Sequence, residues 1–453
     1  MNTTVSHKEI HNWFDGKVII DEIKEYKDSR GSLVEVWRND DDRMKDSVMS
    51  YWSETAPYVI RGPHQHSSQR DEFISWRSDM VYMLHNPETG ETKTFRTDPT
   101  KITRVTVSPP IIHSYRNLDN KVSLTGNFPT SLFMGKDKKE KTDETRHEPK
   151  LKDTTVYVVL GAGGRLGKSI TKVLFDNMGI ANHQVIPVYE KFPAYDSIYV
   201  QKFVDRIKES AKLTEAGEVV IINCAADTRT KTINTDKKQS KDMVWVNSDF
   251  PFLMGERCSR SDVKFIHFST DYVYQKIKEG NVRGKLSDYT RTKQFYESSL
   301  NDVIESNGKM QRNTTVLRVS NLFSVDRNDT VNILYKINEK VKTNTVIDQD
   351  PQVKIGITDV DVLSKWVYEN MKNGELFKRN GTLPNFYNVV SGSVYNIPDL
   401  VKKHFNDYSN IIKVDSDLEY WFDEFANDTK CNVVTIPDSE ESIKSYINFF
   451  SKK

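Results

Sequence analysis

Tyr289 and Lys293 stand four residues apart in the run Tyr-Thr-Arg-Thr-Lys, about one helical turn, so both side chains fall on one helix face. A phenol with an ammonium beside it is a proton donor whose pKa is drawn down towards neutrality. Such a group suits protonation of a ketone oxygen while hydride arrives at the carbon. Upstream, His267-Phe268-Ser269-Thr270-Asp271-Tyr272-Val273-Tyr274 reads as a strand ending in hydroxyls, and Thr270 can bond the same oxygen. A second constellation is Gly161-Ala-Gly163-Gly164-Arg165-Leu166-Gly167. Glycine serves a tight turn there, lets backbone approach a pyrophosphate, and lets a helix pack close to a strand. The helix N-terminus that follows offers free N–H groups to phosphates. The predicted ligand is a dinucleotide.

The elements around these residues have the order such a site needs. The apolar run 156–160 enters the glycines, an apolar-periodic stretch over 166–178 predicts a helix, and 185–189 predicts a second strand. Glu190 follows that strand, where a carboxylate bonds a ribose 2′-hydroxyl and favours NADH. Arg165 and Lys191 are cations placed to hold a 2′-phosphate, and their convergence tips the expectation to NADPH, with NADH the alternative. Further apolar runs at 219–226 and 264–270 continue the alternation of strands and helices, which predicts a doubly wound parallel sheet.

The first third reads differently. Short β-branched or alternating runs at 32–37, 58–62, 80–85 and 104–110, separated by turn residues, predict an all-β barrel or jelly roll. Between the two patterns, residues 136–152 read KDKKEKTDETRHEPKLK and carry almost nothing to bury. The expected organisation is therefore a β domain over 1–135, a charged linker over 136–153, and an α/β domain over 154–453 with a small C-terminal substrate-binding region. A formal net charge of +1 argues against a dedicated nucleic-acid binder. Three widely spaced cysteines imply no disulfide framework. No signal-peptide pattern or membrane-length apolar run occurs, so a cytoplasmic protein without membrane or nucleic-acid partners is expected.

The α/β part resembles dTDP-4-dehydrorhamnose reductase and its relatives among the extended short-chain dehydrogenases/reductases. The resemblance rests on GAGGRLG, VVIINCAADT (219–228), WVNSDFP (245–251), FIHFSTDYVY (265–274), YTRTK (289–293), VLRVSNLF (316–323) and FYNVVSG (386–392), in family order. It implies a catalytic triad of Thr270, Tyr289 and Lys293, and a cofactor cleft lined by Ala225, Ala226 and Asn247. Two stretches depart from the family pattern: the segment between 274 and 289 is short and lacks the usual proline-acidic run, and IDQDPQVKIGIT (347–358) replaces another motif. Both border the sugar site, which leaves the exact sugar open.

The β part resembles, more loosely, dTDP-4-dehydrorhamnose 3,5-epimerase, a cupin-type jelly roll. The matching pieces are Asp28-Ser-Arg30-Gly31 with Glu35, Arg61-Gly62-Pro63-His64, and Ser108-Pro-Pro-Ile-Ile-His113. The resemblance implies His64 as the base that removes a proton beside the C4 ketone. It implies Arg30, Glu35 and Arg61 as nucleotide-diphosphate ligands, and places His113 in the substrate site. The family lysine is replaced near Gln69-Arg70-Asp71, and the family tyrosine is not evident in 124–133, with Tyr115 the nearest substitute. A competing reading takes His64, His66, Asp71 or Glu72, and His113 as metal ligands. The motif context points instead to a metal-free site, and no metal is expected. A cupin that only binds nucleotide or dimerises is a third reading.

Together the two resemblances imply a bifunctional enzyme. It would epimerise a UDP- or dTDP-linked 4-keto-6-deoxyhexose, 2-acetamido forms included, at C3 or at C3 and C5. It would then reduce C4 to an L-rhamnose-type nucleotide sugar. A regulatory cofactor-binding subunit is the rival class. A homodimer is expected from the cupin resemblance.

Overall fold

A computed structural model describes residues 8–42, 44–132, 144–146, 155–178, 184–213, 217–228, 237–279, 286–306, 313–325, 332–349, 352–378, 385–405, 411–413 and 421–451. The chain divides into two compact units: Met1–Val156 with Leu174–Ile186 and Arg206–Glu218, which holds the antiparallel strands, and Tyr157–Val173 with Pro187–Asp205 and Val219–Lys453, which holds most of the parallel sheet.

The first unit is built from antiparallel strands: β1 (Lys8–Trp13), β2 (Val18–Glu22), β3 (Glu25–Asp28), β4 (Gly31–Val34), β5 (Tyr51–Thr55), β6 (Ile60–Gln65), β7 (Asp71–Trp76), β8 (Met80–His85), β9 (Thr92–Arg96), β10 (Ile102–Val107), β11 (Ile112–Asn117), β12 (Ser123–Asn127) and β13 (Thr145–Arg146). They form a six-stranded sheet, β1-β2-β10-β7-β12-β5, and a five-stranded sheet, β13-β6-β11-β8-β9. β3 and β4 pair apart as a hairpin. The arrangement is jelly-roll-like, with Val18, Ile20, Phe73, Tyr82, Leu84, Val105 and Tyr115 in one buried apolar cluster. Most of the charged segment 136–153 lies outside the described residues. Of it, Thr145 and Arg146 are not free of the fold: they add a short edge to β6, opposite Gln65 and His64.

The second unit carries the parallel sheet. Its strands are β14 (Thr155–Leu160), β15 (Val185–Val188), β16 (Glu218–Asn223), β17 (Lys264–Thr270), β18 (Thr314–Val319), β19 (Asn321–Phe323), β20 (Ile347–Gln349), β21 (Lys354–Asp359), β22 (Asn385–Ser391), β23 (Val394–Asn396), β24 (Ile411–Lys413) and β25 (Asn432–Ile436). The main sheet runs β15-β14-β16-β17-β18-β22-β25. Strands β16, β17, β18, β22 and β25 pair in parallel. β16 and β22 are buried along almost their whole length, as strands covered on both faces must be, which is why 219–222 reads as an unbroken apolar run. The order reverses on either side of β14, and a sheet of this kind opens a crevice at the carboxyl ends of its strands at that point. Helices α1 (Arg165–Met178), α2 (Ser197–Leu213), α3 (Lys237–Val244), α4 (Phe250–Arg260) and α5 (Asp288–Ser306) connect the strands. The smaller sheets β19-β21-β23 and β20-β24 belong to the C-terminal part. There Phe323, Leu334, Ile355, Ile357, Leu400, Trp421 and Tyr446 share one core cluster.

Candidate functional sites

The glycine turn leaves β14 and enters α1, as its sequence requires. Gly161 has φ +69°, and a Cβ there would lie 2.8 Å from the Ala225 backbone nitrogen. At Gly167 a Cβ would lie 2.2 Å from the Gly161 carbonyl oxygen. Both positions therefore exclude a side chain, whereas Gly163 and Gly164 are exposed. Leu166 is buried beneath the turn. A turn packed this tightly, with exposed Gly163 and Gly164 before the N-terminus of a helix, fits a dinucleotide pyrophosphate.

Asn247 is buried on a turn of π-helix spanning Trp245–Asp249. Its side chain clamps the loop after β16: Asp227 N–H donates to its Oδ1 at 2.9 Å, and its Nδ2 donates to the Asp227 carbonyl at 2.8 Å. That loop carries Ala225 and Ala226, so Asn247 shapes the wall they form. Glu190 follows β15 and accepts a hydrogen bond from Tyr199 Oη at 3.0 Å. The convergence of Arg165 and Lys191 is not what the structure shows. Arg165 donates from Nη1 to the Leu322 carbonyl at 2.9 Å, leaving exposed Lys191 as the cation beside Glu190.

Thr270 ends β17 close enough to Tyr289 for its hydroxyl to favour the phenolate. It also accepts from Tyr272 N–H at 3.3 Å and donates to Asp271 Oδ1 at 3.0 Å. Burial pushes the Tyr289 phenol up to about 12 and the Asp271 carboxyl up to about 7. The expectation that Lys293 lowers the Tyr289 pKa is corrected here. Lys293 is wholly buried and spends its Nζ on the Phe268 carbonyl at 3.0 Å and on His267 Nε2 at 3.2 Å. Asn223 explains the second contact. Its Oδ1 accepts from Ala225 N–H, so its amide must donate to His267 Nδ1, at 3.0 Å. A neutral His267 then carries its proton on Nε2, facing Lys293. Two donors would clash there unless the lysine is neutral. Burial pushes the Lys293 ammonium down to about 7, in agreement with that geometry.

Behind this row, Arg318 and Glu297 form a buried two-pronged ion pair, 2.7 Å at its shortest. Ser269 donates to the same carboxylate at 2.6 Å, and Arg318 donates to Tyr274 Oη at 2.7 Å and to Asn388 Oδ1 at 3.1 Å. This network braces β17, β18, β22 and α5 against one another. Asp271, His267 and Glu297 were not legible as site residues. Only the polarity of otherwise apolar strand and helix faces hinted at them.

In the first unit, a bulge brings four side chains to one face. On β11, His113 and Tyr115 are two residues apart, yet their partners on β6, His64 and Arg61, are three apart. The extra residue falls at Gly62-Pro63, where Gly62 has φ +85° and a Cβ would lie 2.6 Å from the His113 carbonyl oxygen. Without that glycine, Arg61 and His64 would point to opposite faces. His64, His66 and His113 then face Asp71 of the other sheet. Their ligand atoms lie within 4.8 Å of one another. Among the described residues this is the one such group of three or more His, Cys, Asp or Glu. His66, Asp71 and His113 are buried and His64 is half-buried. Burial, with His113 and His66 adjoining, pushes the His64 imidazole down to about 3, so it stays neutral at ordinary pH. Burial opposes ionisation of Asp71, but the two neighbouring imidazoles outweigh it and hold the carboxyl well below its usual range.

His66 and Asp71 thus join His64 and His113 in one cluster. Tyr115 does not offer an accessible phenol: it is buried, with its Oη 3.1 Å from Ser53 Oγ. Tyr51 is the half-open tyrosine, joined to Asp71 through Asn127, whose Nδ2 lies 2.8 Å from both. Arg61 is held by Thr55 Oγ1 and the Glu54 carbonyl. Arg30 and Glu35 do not reach the cluster. Arg30 is exposed and paired with Asp28 on the β3–β4 hairpin, and Glu35 faces Arg38.

Fold and sites define a two-part protein: a jelly-roll-like unit with a buried histidine–aspartate cluster, and a dinucleotide-type α/β unit with a Thr–Tyr–Lys row. Residues 155–376 match the family model of the RmlD substrate binding domain. The chain is 32% identical over 120 residues to the probable low-salt glycan biosynthesis epimerase Agl13 of Haloferax volcanii, covering 25% of this chain and 77% of that protein. Over that segment it belongs to the Agl13 family. It is 27% identical over 152 residues to the probable low-salt glycan biosynthesis reductase Agl14 of the same organism, covering 32% of this chain and 48%, about half, of that protein. Among solved structures, a dTDP-4-dehydrorhamnose reductase from Clostridium acetobutylicum aligns at 17% identity and TM-score 0.46, over 66% of this chain and all of that one. NovW, a 4-keto-6-deoxy sugar epimerase from Streptomyces spheroides, aligns at 15% identity and TM-score 0.28, over 32% of this chain and 75% of that one. No described helix is long and apolar enough to cross a membrane.

Proposed function

We propose that the chain is a bifunctional nucleotide-sugar enzyme. The parallel unit reduces the C4 ketone of a UDP- or dTDP-linked 4-keto-6-deoxyhexose, and the jelly-roll unit epimerises the carbon beside that ketone. The observation that carries the reading is the Thr270–Tyr289 contact at the carboxyl end of β17, in a fold whose glycine turn leaves room for a pyrophosphate. Kinship with a probable glycan epimerase and similarity to a probable glycan reductase support the pairing of activities.

A nicotinamide dinucleotide supplies hydride when bound, and Gly161 to Gly167 with Ala225, Ala226 and Asn247 form its cradle. Glu190 and Lys191 decide between NADH and NADPH. Tyr289, protonated throughout the physiological range, delivers its proton to the C4 oxygen. Thr270 donates to that oxygen once its hydroxyl turns from Asp271, its acceptor in the free site. Lys293 orders the row from beneath through Phe268 and His267. In the metal-free jelly-roll site His64 is the base. It is neutral, has an open face, and stands beside two further imidazoles that can share the proton.

Replacing Tyr289 by Phe tests the first half. Ketone-dependent oxidation of reduced dinucleotide should fall about a thousandfold, the range expected for loss of a general acid, while dinucleotide affinity stays within about twofold. Turnover that survives this change would remove Tyr289 from the mechanism.

A further inference from the structure

Four features of the histidine cluster bear on what it holds. First, Asp71 Oδ2 lies 3.1 Å from His66 Nε2 and 3.3 Å from His113 Nε2. Yet Asp71 Oδ2 and His113 Nε2 are buried atoms with no well-formed hydrogen bond. Second, His113 Nδ1 lies 3.0 Å from the Ile111 carbonyl. A carbonyl only accepts, so Nδ1 carries a proton, and in the tautomer this fixes Nε2 presents a bare lone pair. That lone pair faces a carboxylate oxygen, acceptor against acceptor. Third, Asp71 Oδ1 is already bonded by Gln69 Nε2 and Asn127 Nδ2, both at 2.8 Å, which leaves Oδ2 for the cluster. Fourth, the three rings crowd together, with centroids 4.5, 5.3 and 5.8 Å apart.

The buried Asp71 Oδ2 and His113 Nε2 converge, an arrangement that a cation between them satisfies. Backbone fixing of one ring tautomer and amide fixing of the carboxylate are the outer contacts that orient metal ligands. We propose that His64, His66, Asp71 and His113 bind one divalent transition-metal ion. Three imidazole nitrogens and one carboxylate oxygen suit zinc, iron(II), cobalt(II) or nickel, and do not suit magnesium or calcium, which take oxygen ligands. Three ligands are buried and His64 is half-buried, so the side next to His64 is where a further oxygen ligand reaches the ion. Gln69 Nε2 lies 3.3 Å from His66 Nε2 while it holds Asp71 Oδ1. Binding makes His64 a ligand, so the metal-loaded site and the His64-base site are two states of the same residues. The metal site is inferred from this geometry alone and does not rest on the sugar reading.

The test uses the full-length chain without substrate. Chelator-treated protein is titrated with Zn²⁺ by calorimetry and, separately, with Co²⁺ while visible absorption is recorded. The expected result is one ion per chain, with Co²⁺ bands of a nitrogen–oxygen site. The near-isosteric D71N and the half-exposed H64Q should each weaken binding at least about a hundredfold, since even outer-shell changes cost 10–100-fold. Near-ultraviolet circular dichroism would show that both variants remain folded. Substoichiometric Zn²⁺ binding without Co²⁺ bands, or unchanged affinity in both folded variants, would overturn the proposal. Because no turnover is measured, failure of the metal site and failure of the sugar reading are separate outcomes.

Discussion

The two candidate sites bury ionisable groups in opposite ways. In the parallel unit the Thr–Tyr–Lys row comes from one strand end and one helix turn, within 24 residues (Thr270 to Lys293). A neutral lysine there keeps charge away from a neutral phenol. In the jelly roll, four side chains from both sheets meet across the interior, and one ionised carboxylate sits among three imidazoles, of which His64 is kept neutral by burial. The first site is arranged to move a proton. The second presents lone pairs that ask for a cation. Local motifs therefore suffice for the first, whereas the second exists only once two sheets are folded together.

The comparison breaks most visibly if the brace behind the parallel site is cut. E297Q leaves Arg318 buried with half a partner, and loss of one member of such a pair costs about 3–5 kcal/mol. Urea denaturation followed by tryptophan fluorescence should show that loss. A change below about 1 kcal/mol would mean that the brace is relieved by solvent.

Next in size is the glycine turn. G161A places a methyl group against Ala225 backbone at a positive φ, so dinucleotide affinity should fall at least about tenfold, equivalent to about 1.4 kcal/mol. G163A meets only Tyr189 at 3.6 Å within the protein, so its methyl leaves the fold unstrained and lowers affinity only by meeting the dinucleotide. Unchanged affinity in both variants would show that the turn is not where the pyrophosphate lies.

A pH slope separates the two sites as well. Burial depresses the Lys293 pKa in the folded protein to about 7, from 10.5 for a free lysine. Between those values the unfolded chain holds a proton that the folded one lacks, so stability falls as pH drops from about 10 to 7 and levels off below. Lys293→Met removes this contribution, and the difference between variant and wild-type melting temperatures should change across that window. A difference that stays constant would show that Lys293 is charged in the fold.

Much of the parallel unit was readable because its signals are local. The strand 264–270 and the helix beginning beside the glycines occur where their apolar periods place them. The row itself was legible for the same reason, since YxxxK reports neighbours on one helical face. The direction of Lys293 was not, because it depends on Asn223 and His267, which are distant in sequence and share the core only through strand pairing. In the jelly roll, His64 and His113 were named from flanking motifs, and with His66 and Asp71 or Glu72 as the rival metal-ligand set that was set aside. What was not legible is how they meet, because Asp71 arrives from the other sheet and the β6 bulge at Gly62 resets which residues share a face. Arg30 and Glu35 followed a motif whose hairpin stands apart from both large sheets.

The central claim is that both units act on one keto-sugar. Its most direct test is proton NMR in D₂O of UDP- or dTDP-4-keto-6-deoxyglucose with the enzyme, first without and then with reduced nicotinamide dinucleotide. Deuterium entering at C3 or C5 before cofactor is added, followed by an L-rhamnose-type product after it, is the predicted sequence. Reduction without prior exchange would contradict epimerisation by the jelly roll, and exchange without reduction would contradict the role given to Thr270, Tyr289 and Lys293.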